Sequence, residues 1–489
     1  MTMAFDPAGR LTRESWPNGL ATTRSYDTAD HLLGITPDNP SAEGIPTITY
    51  TYDPRGNRLT MDRSDVGPST YTYDEISQLL TAKLPDGDLQ TYTFDPVGNR
   101  LSLQDHRGTQ RYRYDSADQL IDVESDFNPE EADETGRLMV SAATSDASPG
   151  RQVWRTRYAF DDAGNEVSKV GPGHKTTSYG FDSLERLSSV EAPGSVPERY
   201  QYDSQGRRVS ILQGQTAVKT RFLRHARGRP VLLELDGSGK PTIRYVILPS
   251  GQLLARVGPV DSQPVFYHFD ALGSTIAQTD PFARVLTSFS YDPYGSRRSV
   301  PTSAESFGYV GRQGVLEEGN GMLEMGARCC ATGIGRFLSR DPLRRGGASA
   351  LSFVGLGWLD RLHLYGYAMG NPVRFADPTG LACGSGLSEL LPDSVGDLYD
   401  FEEACRQHDA CYDTYGRSKE ECDKEFLDNM ADSCVGDAAC DTAAGIYYQG
   451  ANWLGGGAYS DAQQAARCKA EQAKTQRELA GKYSPGTYY

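Results

Sequence analysis

An aromatic residue followed by aspartate recurs along the first three hundred residues, at a usual step of 20 to 22 positions. Self-similarity at such a period is typical of chains built from stacked copies of one small unit, so it constrains the fold strongly. The copies are Phe5-Asp6, Tyr26-Asp27, Tyr52-Asp53, Tyr73-Asp74, Phe94-Asp95, Tyr114-Asp115, Phe160-Asp161, Phe181-Asp182, Tyr202-Asp203, Phe269-Asp270 and Tyr291-Asp292.

Each repeat has the composition of a β-hairpin. The run Thr-Tyr-Thr-Tyr at 70–73 alternates β-branched and aromatic residues, which favours a strand. In Asp-Pro-Arg-Gly at 53–56 the proline presets its φ angle and the glycine tolerates a positive φ, as a tight turn requires. A single hairpin cannot bury its apolar face, so neighbouring hairpins must stack. Because so many copies cannot all be active sites, we interpret the repeated pair as structural.

These units resemble the YD repeats of Rhs proteins and of the related insecticidal toxin-complex subunits, over roughly residues 1–381. The resemblance implies a hollow β-shell that encloses a C-terminal toxin. We therefore expect a mainly β fold, a shell of stacked hairpins, followed by a small disulfide-rich α-helical domain. The predicted domains are 1–307 for the repeat shell, 308–381 for a core segment and 382–489 for the toxin.

The core segment carries motifs of its own. They are Gly-Tyr-Val-Gly-Arg at 308–312, Gly-Arg-Phe-Leu-Ser-Arg-Asp-Pro at 335–342 and Asp-Pro-Thr-Gly-Leu at 377–381. They resemble the Rhs core segment, which in that family cuts its own chain. The resemblance implies Asp341 and Asp377 as the catalytic pair and a cut after Leu381.

Two carboxylates held close together can share a proton, so that one acts as base and the other as acid. The alternative, that both Asp-Pro pairs are only turns, stays open at this point. The chain also departs from the family run Arg-Tyr-Tyr-Asp, because it has Arg-Cys-Cys-Ala at 328–331. Any acid role at that place is therefore lost.

Cysteine is confined to the later part of the chain. Residues 1–328 contain none, and seven cysteines lie from Cys383 to Cys468. This density is typical of a small disulfide-stapled domain that works in an oxidising compartment. A zinc site is the competing interpretation, but the region has no Cys-x-x-Cys pair and a single histidine.

The charge and the hydropathy of the chain disfavour some classes of function. The net charge is −16, and the stretch from Ala382 to the end contributes −10 of it through nineteen acidic and nine basic residues. Nucleic-acid binding needs a basic surface, so a nuclease and any nucleic-acid partner are disfavoured. The sequence contains no apolar run of transmembrane length and no signal-peptide pattern at its start.

The run Cys-Arg-Gln-His-Asp-Ala-Cys-Tyr at 405–412 is the strongest candidate for chemistry. Asp400 can cap a helix through this run, and Ser418 with a glutamate three positions later can open a second helix. Two helices joined by a short turn are antiparallel neighbours. Asp423 on the second helix can then approach His408 on the first.

Such a histidine–aspartate pair is suited to the hydrolysis of an ester by an activated water molecule. His408 takes a proton from water, and the carboxylate of Asp423 fixes the imidazole tautomer. A hard cation stabilises the oxyanion. Asp409 offers calcium a carboxylate, and the glycine-rich loop at 383–386 offers carbonyl oxygens.

These residues are similar to those of phospholipase A2, over about residues 382–434. The resemblance implies hydrolysis of the sn-2 ester of membrane glycerophospholipids with Ca²⁺ as cofactor. It assigns His408 as general base, Asp423 as its partner, Tyr412 as a hydrogen-bond donor to that partner, Asp409 as the calcium carboxylate, Ala382, Gly384 and Gly386 as carbonyl ligands, and Cys383–Cys405 and Cys411–Cys422 as disulfides. The pairing of Cys434, Cys440 and Cys468 stays open, as does the choice between Tyr447 and Tyr448 for a second tyrosine.

We expect the protein to be held in the producer cytoplasm and then delivered to a target cell, with type VI secretion as the route implied by resemblance. The expected partners are membrane phospholipid as substrate, an immunity protein, and a secretion-apparatus tip or delivery protein. One alternative is an interaction protein whose repeats bind surface carbohydrate and whose terminal disulfide module is inactive. Another is a calcium-binding membrane toxin without hydrolysis. The chain begins within a repeat, which leaves a preceding delivery domain open.

Overall fold

Two units make up the chain. The first comprises Met1–Asp341 and Arg361–Leu381, and the second comprises Pro342–Asp360 and Ala382–Tyr489. The structure is a computed structural model, and it describes residues 1–8, 10–38, 45–127, 129, 153–214, 217–224, 231–248, 252–258, 262–298, 306–318, 320–342, 364–380, 407, 411 and 418–434.

The repeats of the first unit form, within the described residues, one antiparallel sheet of 25 strands in which each strand pairs with the next along the chain. The strands are β1 (Thr2–Phe5), β2 (Leu11–Ser15), β3 (Ala21–Tyr26), β4 (Leu32–Pro37), β5 (Ile48–Tyr52), β6 (Arg58–Arg63), β7 (Gly67–Tyr73), β8 (Leu79–Lys83), β9 (Leu89–Phe94), β10 (Arg100–Asp105), β11 (Gly108–Tyr114), β12 (Leu120–Ser125), β13 (Trp154–Phe160), β14 (Glu166–Val170), β15 (Thr176–Phe181), β16 (Leu187–Glu191), β17 (Glu198–Tyr202), β18 (Arg208–Gln213), β19 (Ala217–Arg224), β20 (Val231–Leu235), β21 (Pro241–Ile247), β22 (Leu253–Val257), β23 (Pro264–Phe269), β24 (Thr275–Thr279) and β25 (Val285–Ser288).

The aspartate of each repeated pair organises the turn that follows it. Asp53 Oδ1 accepts hydrogen bonds from the backbone N–H groups of Arg55 and Asn57, at 2.9 and 2.8 Å. Its other carboxylate oxygen accepts one from Asn57 Nδ2 at 2.9 Å. Gly56 closes the turn with a φ of +79°, a conformation that glycine adopts at little cost. The short acidic side chain thus satisfies a turn backbone that has no strand partner.

The aromatic half of the pair links neighbouring hairpins. Tyr52 donates its hydroxyl to the carbonyl of Leu32 at 2.9 Å, and Tyr73 donates to the carbonyl of Arg58 at 2.6 Å. The same bond recurs from Tyr202 to Leu187 at 2.6 Å. The structural interpretation of the repeat is therefore confirmed: aspartate holds each turn, and tyrosine reaches back to the hairpin before it.

The core of the first unit lies on one face of the sheet. Along β7 the side chain of Tyr71 is buried while Thr70 and Thr72 are exposed, as the two-residue period of a strand requires. Buried residues of neighbouring strands, such as Leu79 and Tyr92, pack in one cluster with residues from the later part of the unit. The latter are Tyr294, Tyr309, Val310, Val315, Leu323, Met325, Cys330, Phe337, Tyr367 and Val373.

A second antiparallel sheet of four strands lies within the described part of the core segment. Its strands are β26 (Leu316–Glu317), β27 (Met322–Met325), β28 (Arg328–Ala331) and β29 (Arg336–Phe337). Short 3₁₀ helices occupy Pro172–His174, Gly311–Gln313 and Ala368–Gly370. The core segment is bonded to distant hairpins, since Arg312 Nη2 lies 3.2 Å from Glu14 Oε1 and Tyr365 donates to the carbonyl of Gly164 at 2.7 Å.

In the second unit the structure describes one longer helix, α1 (Lys419–Cys434). It begins at the predicted capping box, where Ser418 Oγ accepts from the N–H of Glu421 at 3.2 Å and Glu421 Oε2 accepts from the N–H of Ser418 at 3.1 Å. Among the described residues, no helix combines the length and apolar character needed to cross a bilayer. The mainly β fold is thus confirmed, and the rest of the predicted helical domain lies outside the described residues.

Candidate active site

Asp341 and Asp377 meet at one guanidinium group. Arg328 Nη2 lies 3.0 Å from Asp341 Oδ2 and 3.1 Å from Asp377 Oδ2. The side chains of Arg328 and Asp341 are only 3% and 5% exposed, whereas that of Asp377 is 14% exposed. The cluster therefore holds two carboxylates and one cation in a nearly dry setting, where charges interact more strongly than in water.

The orientation of Arg328 is determined by the small sheet and by the segment after it. Its guanidinium carbon lies 3.7 Å from the ring centroid of Phe337, a favourable cation–π geometry. Its Nη1 donates to the carbonyl of Leu364 at 3.4 Å, and the N–H of Asp341 donates to the same oxygen at 3.0 Å. Both charged residues are thereby anchored to one backbone position.

The Asp-Pro-Thr-Gly motif forms a turn that packs against the loop between β27 and β28. The N–H of Gly380 donates to the carbonyl of Asp377 at 3.3 Å, and the N–H of Ala327 donates to the carbonyl of Thr379 at 2.8 Å. Thr379 Oγ1 donates to Asp377 Oδ1 at 3.0 Å. Asp377 thus has one oxygen on the threonine hydroxyl and the other on Arg328.

Gly380 is held against the β27–β28 loop so closely that only glycine fits. Arg328 Nε donates to its carbonyl oxygen, and its φ is +64°. A methyl group added at this position would overlap the carbonyl oxygen of Met325 and the backbone nitrogen of Arg328. The backbone immediately before the predicted cut is therefore held in place by the residue that gathers the two aspartates. Leu381, on the predicted cut itself, lies outside the described residues.

A thiol lies near the carboxylates, but its chemistry is suppressed. Cys330 is fully buried, and burial raises the pKa of its thiol, with the Asp377 carboxylate adding to that effect. At neutral pH Cys330 is therefore a neutral thiol, and a thiol is a poor nucleophile compared with a thiolate. The carboxylates are the groups at this place that are suited to proton transfer.

The sheet of stacked hairpins with its core segment corresponds to a known family. A model of the teneurin YD-shell matches residues 67–372. This chain belongs to the teneurin YD-shell family. The matched range includes Arg328 and Asp341 and ends before Asp377.

Among curated relatives, this YD-shell chain is 26% identical to toxin subunit YenC1 of Yersinia entomophaga over 432 residues, which cover 78% of this chain and 42% of the relative. The chain thus spans less than half the length of that toxin subunit. It is also 36% identical to the group XIIA secretory phospholipase A2 of Homo sapiens over 81 residues, 14% of this chain and 43% of that enzyme. A crystal structure of TcdB2-TccC3 matches with 20% identity and a TM-score of 0.38, covering 78% of this chain and 22% of that one.

The predicted lipase residues of this YD-shell protein are described only in part. Cys411 and Cys422 form a disulfide with an S–S distance of 1.99 Å. Asn429 Nδ2 donates to Gln407 Oε1 at 2.8 Å, so the residue beside His408 contacts the helix that carries Asp423. The remaining lipase predictions fall outside the described side chains, and their roles stay predictions: His408, Asp409, Tyr412, Asp423, Ala382, Gly384, Gly386, Cys383, Cys405.

Sequence reasoning missed Arg328. It treated the run at 328–331 as a departure from the family pattern, whereas the structure places the first residue of that run between both aspartates. The sequence did contain an indication of this residue, because an arginine comes first both in the family run Arg-Tyr-Tyr-Asp and in the run Arg-Cys-Cys-Ala of this chain. Nothing in the sequence pairs that charge with carboxylates 13 and 49 positions away.

Proposed function

We propose that this YD-shell protein is a self-processing toxin, in which the core segment hydrolyses the peptide bond after Leu381 and separates a C-terminal lipase-type effector. The observation that carries the self-cleavage proposal is the convergence of Asp341 and Asp377 on Arg328, together with the contact of Arg328 with Gly380. One of the three bonds at which the chain passes from one structural unit to the other is this same bond.

In the proposed reaction a water molecule attacks the carbonyl carbon of Leu381. One carboxylate takes the proton that the water loses, and the other, in its protonated form, gives a proton to the amide nitrogen of Ala382 as the bond breaks. Arg328 would hold the two carboxyl groups side by side and offset the negative charge that the pair carries. Fixing Gly380 holds the reacting bond near them, which lowers the entropic part of the barrier.

The test of self-cleavage is a denaturing gel of the purified full chain, with mass spectrometry of the small piece. Wild type should give two pieces, the smaller starting at Ala382, that stay in one particle in native buffer. Asp377→Asn and Asp341→Asn should each leave one full-length band. Asp95→Asn, which changes an Asp-Pro aspartate of a repeat turn, is the matched control and should cleave normally. An intact wild-type band, or cleavage at another bond, contradicts the proposal.

For the effector we propose a calcium-dependent phospholipase A2-type esterase that acts on membrane phospholipid. Two observations support this proposal: the similarity of a stretch of the chain to a secretory phospholipase A2, and the bridge that ties Cys411 to helix α1. His408 would be the base that activates water and Asp423 its partner. Asp409 and the carbonyls of Ala382, Gly384 and Gly386 would hold the calcium ion, which would stabilise the oxyanion when bound.

Release of fatty acid from phospholipid vesicles, with calcium or with chelator, tests the esterase. His408→Ala should abolish release, and wild type should be inactive in chelator. Asp413→Ala, a charge on the same stretch without a proposed role, is the control and should stay active. Hydrolysis that survives in His408→Ala contradicts the mechanism, and calcium-dependent vesicle binding without hydrolysis would favour a non-enzymatic membrane toxin.

Delivery to a target cell, storage in the producer cytoplasm and an immunity protein that blocks the effector belong to the same proposal. Their support is the membership of the YD-shell family and the similarity to toxin subunit YenC1. Co-expression of the full chain with a candidate inhibitor protein, scored by rescue of growth, is the experiment that addresses the immunity protein.

A further inference from the structure

A small cavity lies where strands β9–β11 meet Tyr294 and the core segment. Its volume is about 30 Å³, which holds about two water molecules or one small ion. Gly98, Gly335, Gly366 and Gly370 line it, so backbone atoms form much of its wall. A methyl group added at Gly335 would overlap both Arg100 and Tyr294, which keeps this position open only for glycine.

Two buried arginine residues lie at the cavity. Arg100 and Arg336 both line it, and they are only 6% and 5% exposed. Within the part of the chain that the structure describes, neither forms an ion pair with a carboxylate. Arg100 lies 4.0 Å from the ring centroid of Tyr294, and Arg336 Nη2 donates to the carbonyl of Asp118 at 2.6 Å. Guanidinium stays charged at every physiological pH, so this region buries two positive charges that no described carboxylate contacts.

The acids nearest to these arginines do not supply the missing charge at contact distance. Glu166 acts on Arg336 through space, but burial raises the pKa of its carboxyl to about 8, which disfavours its charged form at pH 7. Asp292 acts on Arg100 through space, and its Oδ1 accepts the backbone N–H groups of Tyr294 and Ser296 at 3.1 and 2.8 Å. Its carboxylate therefore offsets part of the Arg100 charge without contacting the guanidinium.

Tyr294 and Tyr367 are among the tyrosines that line the cavity. Their buried hydroxyls lie near Arg100 and Tyr309, respectively, but neither forms a hydrogen bond of full geometry among the described residues. Leaving a buried donor unpaired is costly, and such groups mark places where an ordered water or ion belongs. Water can satisfy the hydroxyls, but it cannot balance two guanidinium charges.

From this convergence we infer that the cavity binds one small monovalent anion, with chloride as the species that fits in size and abundance. Arg100 and Arg336 provide the charge, and Tyr294 and Tyr367 donate hydrogen bonds. Arg100 belongs to strand β10 and Arg336 to strand β29, so the ion joins the large sheet to the core segment. Its effect is on stability: a ligand that binds only the folded chain raises the melting temperature as its concentration rises.

The experiment uses the full chain and sodium chloride titrated into sodium gluconate at constant ionic strength, because gluconate is far too large for the cavity. The melting temperature of wild type should rise with chloride and then saturate. Tyr294→Phe should need roughly tenfold more chloride for the same rise, since it loses one hydrogen bond to the ion. Tyr92→Phe is the matched control: Tyr92 stacks on the same guanidinium at 5.0 Å, but its hydroxyl donates to Gln90 and does not line the cavity. It should keep the wild-type chloride response.

Crystals soaked in bromide give a second, direct measurement. An anomalous peak between Arg100 and Arg336 supports the inference. A wild-type melting temperature that is equal in chloride and gluconate overturns it, because the cavity then holds only water. An identical chloride response in wild type and Tyr294→Phe, with bromide found only on the surface, overturns it as well.

Discussion

Arg328 and Asp377 form an ion pair of 3.1 Å across 49 positions of sequence. The same nitrogen reaches Asp341, and the neighbouring Nε reaches the carbonyl of Gly380. One side chain thus holds the two proposed catalytic carboxylates and the backbone that precedes the proposed cut.

Arg328→Gln should stop or strongly slow self-cleavage. The glutamine cannot neutralise the carboxylates or hold Gly380, and loss of one stabilising electrostatic contact in a dry site lowers a rate by about 100-fold. The measurement is the rate at which the full-length band disappears after synthesis. Because an unpaired buried carboxylate also costs about 3 kcal/mol of stability, thermal unfolding should be recorded beside it. Arg374→Gln, which removes another arginine of the core segment, should cleave like wild type, and equal rates in both variants contradict the role of Arg328.

Gly380→Ala should block cleavage by displacing the turn. The added methyl group overlaps Met325 and Arg328, and the residue has a φ of +64°. The matched control is Gly87→Ala, since Gly87 has a φ of +90° but nothing within 4 Å of an added methyl group. Both variants lose about 1–2 kcal/mol for the left-handed backbone, so a difference between them reports the contact alone. Normal processing of Gly380→Ala would show that the close fit has no bearing on the cut.

Cys411→Ser should loosen helix α1. The disulfide closes a loop of 11 residues to Cys422, and a bridge of that span contributes about 3 kcal/mol by restricting the unfolded chain. Hydrogen exchange of the amides of Lys419–Cys434 in the full chain should become faster. Reduction of wild type should accelerate exchange of the same amides. Unchanged exchange in the variant would mean that the bridge does not stabilise the helix.

Glu166→Gln should make stability less dependent on pH. Burial raises the pKa of this carboxyl from 4.5 to about 8, so the folded chain binds the proton more tightly than the unfolded chain. The favourable contribution of that proton is complete below pH 4.5 and is lost as pH rises through about 8. Above pH 8 the variant should therefore be more stable than wild type by about 5 kcal/mol, and below pH 4.5 the two should agree.

Urea unfolding between pH 4 and pH 9 measures this difference. Glu75→Gln, which changes an exposed turn residue, is the control and should follow the wild-type curve. A constant offset between Glu166→Gln and wild type at every pH would contradict the assigned titration.

The local architecture was readable from the sequence. The period of the aromatic-aspartate pair predicts stacked hairpins, and the turn residues predict where each hairpin reverses. Ser418 and Glu421 likewise predict the start of helix α1. These predictions succeed because the hydrogen bonds involved join residues two to four positions apart, such as Asp53 with Arg55 and Asn57.

The tertiary structure alone decided which distant groups meet. Arg328 pairs with Asp341 and Asp377, and Arg100 and Arg336 line the same cavity. Both arrangements exist only because the core segment packs on the buried face of the hairpin sheet. The sequence does not show which residue a charged side chain will pair with. A buried ion pair depends on the path of the whole chain between its two residues. The repeat therefore determined the sheet by itself, whereas the carboxylate pair and the cavity exist only in the packed molecule.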